Sequence, residues 1–205
     1  MIVIGITGGI GAGKSTAAEY LIDKGFALID ADQIGRELTA EGEPLLEIID
    51  DEFGCVTYDG TKGNGMRLDR KEMADLVFNN EEVKERYDEL LHTEIKRVID
   101  EQIEELSQTD ALGILLDAPL LFETNINDRC DVVILVTADM DERINRVRQR
   151  DDVDEEEVRS RISTQMEDED KARFADFIVD NSEGPENMYL QLDDILDYLG
   201  LTPEE

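Results

Sequence analysis

Gly8-Gly9-Ile10-Gly11-Ala12-Gly13-Lys14-Ser15 reads G-x-x-x-x-G-K-[ST], and the residues on either side of it decide how the chain folds. Upstream, Ile2 to Ile6 is a short apolar run that predicts a strand, and downstream Ser15 to Lys24 predicts a helix. That strand–loop–helix setting is the one the pattern needs. Its glycines let the main chain wrap an anion, so consecutive N–H groups and the positive end of the helix converge on phosphate oxygens. Lys14 adds a compact cation for the β- and γ-phosphates, and the Ser15 hydroxyl can ligate Mg²⁺. The stretch therefore predicts a nucleotide-phosphate site built from Gly8, Gly9, Ile10, Gly11, Ala12, Gly13, Lys14, Ser15 and Thr16.

Working outward, short apolar runs alternate with longer amphipathic segments. Ala27 to Ile29 predicts a second strand, ending at Asp30-Ala31-Asp32. Leu112 to Leu116 predicts a third, followed by Asp117-Ala118-Pro119, and Val132 to Val136 and Phe177 to Val179 a fourth and fifth. Runs without apolar/polar alternation fit strands covered on both faces, so the expectation is an α/β fold with a five-stranded parallel sheet flanked by helices. Between strands two and three the chain reads as mostly helical. From Glu81 to Leu106 the residues Val83, Tyr87, Leu90, Leu91, Ile95, Val98, Ile99, Ile103 and Leu106 form one apolar stripe at helical spacing. Leu68-Asp69-Arg70 to Phe78 predicts a shorter helix with Asp69 as N-cap, and Tyr58 to Gly65 is dense enough in turn residues to predict an exposed loop.

A second helical excursion, Asp139 to Ala175, separates strands four and five, with Asp154 and Glu157 spaced as a capping box. The expected organisation is one domain over residues 1–205, with its core near 1–40, 108–138 and 176–205. A helical acceptor-side subdomain would occupy 41–107 and a helical lid 139–175.

Composition narrows the function. The 205 residues are 40 % apolar, enough for a core, and carry 52 acidic against 20 basic side chains, a net charge of −32. Such a field disfavours nucleic acid and anionic membranes as partners, since both need a basic face. No apolar run approaches the roughly 18 residues of a membrane span, and no basic segment precedes the N-terminal apolar stretch, so the expectation is a cytoplasmic protein. Cys55 and Cys130 form no C-x-x-C pair and read as small buried hydrophobes. The acid excess, with 13 Arg against 7 Lys, fits either adaptation to high internal salt or an ordinary surface of solvated Glu-rich helices.

A phosphate loop leaves the class open. No N-K-x-D tetrad is present to read guanine, and Asp117 is followed by Ala118 rather than by the second acid usual in motor-type ATPases. A small-molecule kinase needs a carboxylate beside the acceptor hydroxyl and cations over the transferred phosphate. Asp32 follows the carboxyl end of the second strand and could orient a hydroxyl proton, or serve as N-cap of a helix from Gln33. Arg143, Arg146 and Arg150 fall on one helix face, within a run of four Arg and no acid. They read either as a lid closing over triphosphate or as a solvated face paired with nearby acids. His92, the one histidine, lies beside Leu91 on the apolar stripe, where a structural role is the plainer reading.

Taken together these segments resemble the dephospho-CoA kinase family. Gly5 to Ser15 is similar to its opening, Ile29-Asp30-Ala31-Asp32 with Arg36-Glu37 to its acceptor-side segment, and Asp117-Ala118-Pro119-Leu120-Leu121-Phe122-Glu123 to its third-strand signature. Leu68-Asp69-Arg70, Leu90-Leu91-His92, Arg161-Ile162 to Gln165 and Asp180-Asn181-Ser182 continue the match in order, over residues 1–184. The resemblance implies ATP-dependent phosphorylation of the ribose 3′-hydroxyl of dephospho-CoA, giving CoA and ADP. By position it implies Lys14, Asp32 and Arg146 as catalytic residues, and Thr7, Asp32, Arg70 and His92 toward the acceptor. Mg²⁺ would be held by Ser15 and, through water, Asp117. Two departures stand out: Thr93 follows His92 where the family has Pro, and the Gly60 to Gly65 stretch is longer than usual. Another small-molecule kinase, such as a nucleoside monophosphate kinase, and a non-catalytic nucleotide switch are the rival readings.

Overall fold

The computed structural model describes residues 1–60 and 65–201, so positions 61–64 of the expected Tyr58–Gly65 loop lie outside the described residues. The chain opens with β1 (Val3–Thr7), α1 (Lys14–Asp23), β2 (Ala27–Asp30), α2 (Ala31–Leu38) and α3 (Leu45–Phe53). A hairpin of β3 (Val56–Thr57) and β4 (Arg67–Leu68) follows, then α4 (Arg70–Asn79), α5 (Glu81–Leu106) and β5 (Ile114–Asp117). The remainder is β6 (Val132–Thr137), α6 (Met140–Asp151), α7 (Glu155–Ile162), α8 (Asp168–Lys171), β7 (Phe177–Asp180) and α9 (Pro185–Leu199). The residues divide into two compact units, 1–30 with 102–205, and 31–101.

The first unit holds a five-stranded sheet in the order β2-β5-β1-β6-β7, with every pairing parallel. Because β1 is central, the loop that leaves it emerges at the middle of the carboxyl edge, where open α/β sheets bind ligands. Asp30 and Asp117 are direct register partners at that edge, as are Thr137 and Asp180. Ile4, Ile6, Leu115, Ile134 and Val136 are fully buried beneath Ala17 and Leu21 of α1 and Met188 and Leu192 of α9. Contact at the sheet centre is close: a Cβ on Gly5 would lie 2.6 Å from Cys130 Sγ, so only glycine fits. Cys130 is half-buried rather than buried as expected, whereas Cys55 is buried.

The strands match expectation except at their ends. All five run one residue further at the carboxyl edge, and β5 starts at Ile114 because Leu112 and Gly113 bond irregularly to Gly25 and Ala27. The 139–175 excursion is α6, α7 and α8. Asp154 caps α7 by accepting from Glu157 N at 2.9 Å, but the reciprocal half of the capping box does not form, because the Glu157 carboxylate pairs with Arg161 instead.

In the second unit α3, the β3–β4 hairpin and α4 enclose a small core of Leu45, Leu46, Ile49, Cys55, Val56, Met66 and Met73, against which Tyr87 and Leu90 of α5 pack. Asp69 caps α4 through Lys71 N and Glu72 N, and α5 has the predicted bounds, with Asn80 accepting from Glu82 N and Val83 N. The reading of Asp32 as an N-cap is corrected. The helix starts at Ala31, which puts Asp32 inside its first turn, where a carboxylate complements the helix dipole but caps nothing. α3 falls in the stretch read as mostly helical, without predicted bounds of its own, and the hairpin was not expected from sequence. Among the described residues no helix is long and apolar enough to cross a membrane.

Candidate active site

The loop after β1 closes on itself through Ala12 N donating to Gly9 O at 3.0 Å, and α1 begins with Ala17 N bonded to Gly13 O. The N–H groups of Lys14, Ser15 and Thr16 therefore have no acceptor within the helix, and no acidic side chain sits in that first turn. These donors lie where the sequence predicts an anion cradle. Lys14 Nζ is ion-paired with Asp117 Oδ1. Thr7 is fully buried, and its hydroxyl donates to Pro119 O at 3.3 Å. It steadies the Asp117–Pro119 turn and presents no group outward, a correction to its expected place toward the acceptor.

The outer face of the loop is gripped by side chains from α6, the segment after α7, and the end of β7. Arg143 Nε donates to Ile10 O at 3.0 Å, and Gln165 Oε1 accepts from Ile10 N at 3.1 Å. Arg143 is buried and its Nη1 pairs with Asp168 at 2.8 Å. Arg146 Nη1 reaches Gly11 O and Ala12 O at 3.5 and 3.4 Å, while Nη2 donates to Asn181 O at 2.7 Å. Arg150 differs: it is exposed and paired with Asp151, so the three arginines do not act as one face. Lys171, fully buried, joins α8 to the turn after β5 through Pro119 O at 3.3 Å and Glu123 at 3.5 Å.

The second unit contains a cavity of about 330 Å³ into which three expected acceptor residues converge: Asp32 from α2, Arg70 from the start of α4 and His92 from α5. Arg36, Thr39 and Tyr87 line it as well. Arg70 Nη2 donates to Thr39 Oγ1 at 3.3 Å. Burial lowers the His92 pKa below the usual imidazole value, against a smaller upward pull from Asp88, so the ring is held neutral. Burial raises the Tyr87 phenol. A carboxylate, a neutral imidazole and two guanidinium groups around one opening suit a phosphorylated alcohol, with anion and hydroxyl read separately.

Sequence reasoning missed Gln165 and Asn181 as loop contacts and Arg143 as a buried one. Their separations from the loop, 155, 169 and 133 positions, leave no local pattern. Tyr87 was visible only as one member of the apolar stripe.

The chain is similar to known proteins over nearly its whole length. A family model described as dephospho-CoA kinase matches residues 2–187. Dephospho-CoA kinase from Oceanobacillus iheyensis is 33 % identical over 195 residues, covering 95 % of this chain and 96 % of that protein. A solved structure of dephospho-CoA kinase from Campylobacter jejuni superposes with a TM-score of 0.68 at 26 % identity, over 96 % of each chain. A solved Thermus thermophilus protein gives a TM-score of 0.77 at 34 % identity over 97 % of each chain.

Proposed function

The chain belongs to the dephospho-CoA kinase family, and from that premise we propose how its residues share the family's reaction, phosphoryl transfer from ATP to the ribose 3′-hydroxyl of dephospho-CoA. The donor triphosphate lies in the cradle of Gly8 to Thr16, where main-chain N–H groups carry most of the recognition and Lys14 neutralises the β- and γ-phosphates. Arg146, bonded here to carbonyls on the outer face of the loop, would brace the transferring group by exchanging those carbonyls for phosphate oxygens. The acceptor enters the cavity of the second unit, with Arg70 on its phosphate and His92 beside it. Asp32 takes or orients the proton of the hydroxyl. Because the transition state of such transfers is loose, orientation contributes more than proton removal.

Mg²⁺ is part of this proposal. A serine hydroxyl and one carboxylate, Ser15 and Asp117, are the sparse oxygen donors a strongly hydrated cation tolerates when phosphate oxygens supply the rest. Bound there, the ion would neutralise charge developing between the β- and γ-phosphates. We also place the reaction in the cytoplasm, in keeping with freely diffusing polyanionic substrates. With a net charge of −32, capture must rest on these local groups and not on long-range attraction.

The observation that carries the reading is the meeting of Asp32, Arg70 and His92, from three separate segments, around one cavity. A coupled assay with ATP, Mg²⁺ and dephospho-CoA tests it. Turnover with dephospho-CoA and none with AMP or CMP is expected; phosphorylation of AMP or CMP alone would assign the chain to nucleoside monophosphate kinases.

A further inference from the structure

Asn181, the first residue after β7, is 4 % exposed. Its main-chain N–H is tied to Thr137 O at 2.8 Å and its carbonyl accepts from Arg146 Nη2 at 2.7 Å, so the residue is fixed at both ends. From there Nδ2 donates to Ala12 O at 2.8 Å. The amide orientation is unambiguous, because only the NH₂ side can face a carbonyl. Oδ1 accepts nothing from the described residues, so donation to Ala12 is the whole hydrogen-bonding contribution of the side chain.

The consequence runs through one peptide plane. Ala12 C=O and Gly13 N–H belong to the same trans peptide unit and point in opposite directions. Holding the carbonyl outward against Asn181 therefore turns Gly13 N–H inward, toward the concave side of the loop. Gly13 has φ of 102°, and a Cβ there would lie 2.0 Å from Asn181 Nδ2. The amide thus packs directly against a backbone position that must stay bare. The Ile10–Gly11 unit is built the same way, with Arg143 Nε holding Ile10 O outward.

We propose that Asn181 is a positioning residue for phosphoryl transfer, aiming Gly13 N–H at the donor's phosphate by holding Ala12 O. The proposal rests on the reading of this loop as the ATP site. It concerns the polyphosphate alone: losing Asn181 weakens recognition of phosphate and leaves recognition of the nucleoside and of the acceptor unchanged.

The test compares Asn181→Ala, which removes the donor, with Asn181→Asp, which keeps the volume but offers oxygen in place of NH₂. In steady-state kinetics each is expected to raise the KM for ATP about tenfold, the worth of one well-placed hydrogen bond. The inhibition constant for inorganic tripolyphosphate should rise by the same factor, while the KM for dephospho-CoA stays at the wild-type value. Should Asn181→Ala fail to fold, the shape-preserving Asn181→Asp carries the comparison. An unchanged KM for ATP overturns the proposal, and so does a raised KM with unchanged tripolyphosphate inhibition, which would place Asn181 on the nucleoside. Wild-type protein that neither turns over ATP nor is inhibited by tripolyphosphate would instead overturn the loop reading, and the proposal with it.

Discussion

Lys14 Nζ and Asp117 Oδ1 are joined in an ion pair that links the loop after β1 to the carboxyl end of β5, both side chains being mostly withdrawn from solvent. Each charge is the other's counter-ion. On the function proposed above, a polyphosphate at the loop would offer Lys14 a more highly charged partner, and Asp117 would then turn to a hydrated divalent cation. Binding on that reading would be an exchange of partners, which avoids leaving either charge uncompensated in a low-dielectric setting.

Lys14→Met should therefore remove transfer, lowering kcat by about 10³-fold or more, because the cation over the β- and γ-phosphates is lost. Asp117→Asn should act differently, raising the Mg²⁺ concentration for half-maximal rate by about tenfold with less effect at saturating metal. A metal titration of both variants separates the two roles. An unaltered Mg²⁺ dependence in Asp117→Asn would remove that carboxylate from the metal site.

Asp32→Asn should lower kcat by about 10²–10⁴-fold while the KM for ATP stays near wild type, since the change falls on the acceptor side of the reaction. The substitution keeps size and hydrogen-bonding reach within the first turn of α2, so a folding defect is not expected. Initial rates at saturating ATP decide it, and wild-type kcat would exclude Asp32 as both base and positioner.

His92 carries a pH prediction. Its folded pKa lies below the unfolded value of about 6.5, so near and below that pH the unfolded chain binds more protons than the folded one. The contribution of the neutral ring is complete above about pH 7 and is lost as pH falls through 6.5 toward the folded pKa. Thermal melts between about pH 7.5 and 5.5 should show the melting temperature falling, and His92→Gln should flatten that part of the curve. Parallel slopes for the two proteins would show that the ring is not held neutral.

Much of this architecture is legible in the sequence because the signals are local. Apolar runs such as Val132–Val136 are covered on both faces and stand out, and the stripe from Val83 to Leu106 gives α5 its bounds. Asp32, Arg70 and His92 were each singled out from short motifs, and the fold brings them to one cavity. The misses have physical reasons. β3 and β4 are two residues each, too short for any period, and the bounds of α3 were passed over although Gly54, with φ of 71°, ends it in the usual left-handed cap. The grips on Ile10 and Ala12 come from residues more than 130 positions away, and no pattern along the chain encodes them.

The acidic surface makes a further prediction. With 52 carboxylates against 20 cations, self-repulsion opposes the compact state, and raising ionic strength from about 0.1 to 1 M shortens its range from about 10 to 3 Å. The melting temperature should rise across a KCl titration to molar concentration. A flat curve would show that the charges are already spaced and solvated well enough to need no added salt.

The contact between Gly5 and Cys130 also bears on chemistry no substrate is involved in. Burial, with Asp131 adding to it, pushes the Cys130 thiol up to about 12, so at neutral pH only about one molecule in 10⁵ carries the thiolate. Sγ lies against Gly5 of the middle strand, and the raised pKa slows its reaction with alkylating probes and peroxide. Maleimide or iodoacetamide uptake at Cys130, compared with uptake at the buried Cys55, gives two native reporters of local opening without an introduced label site.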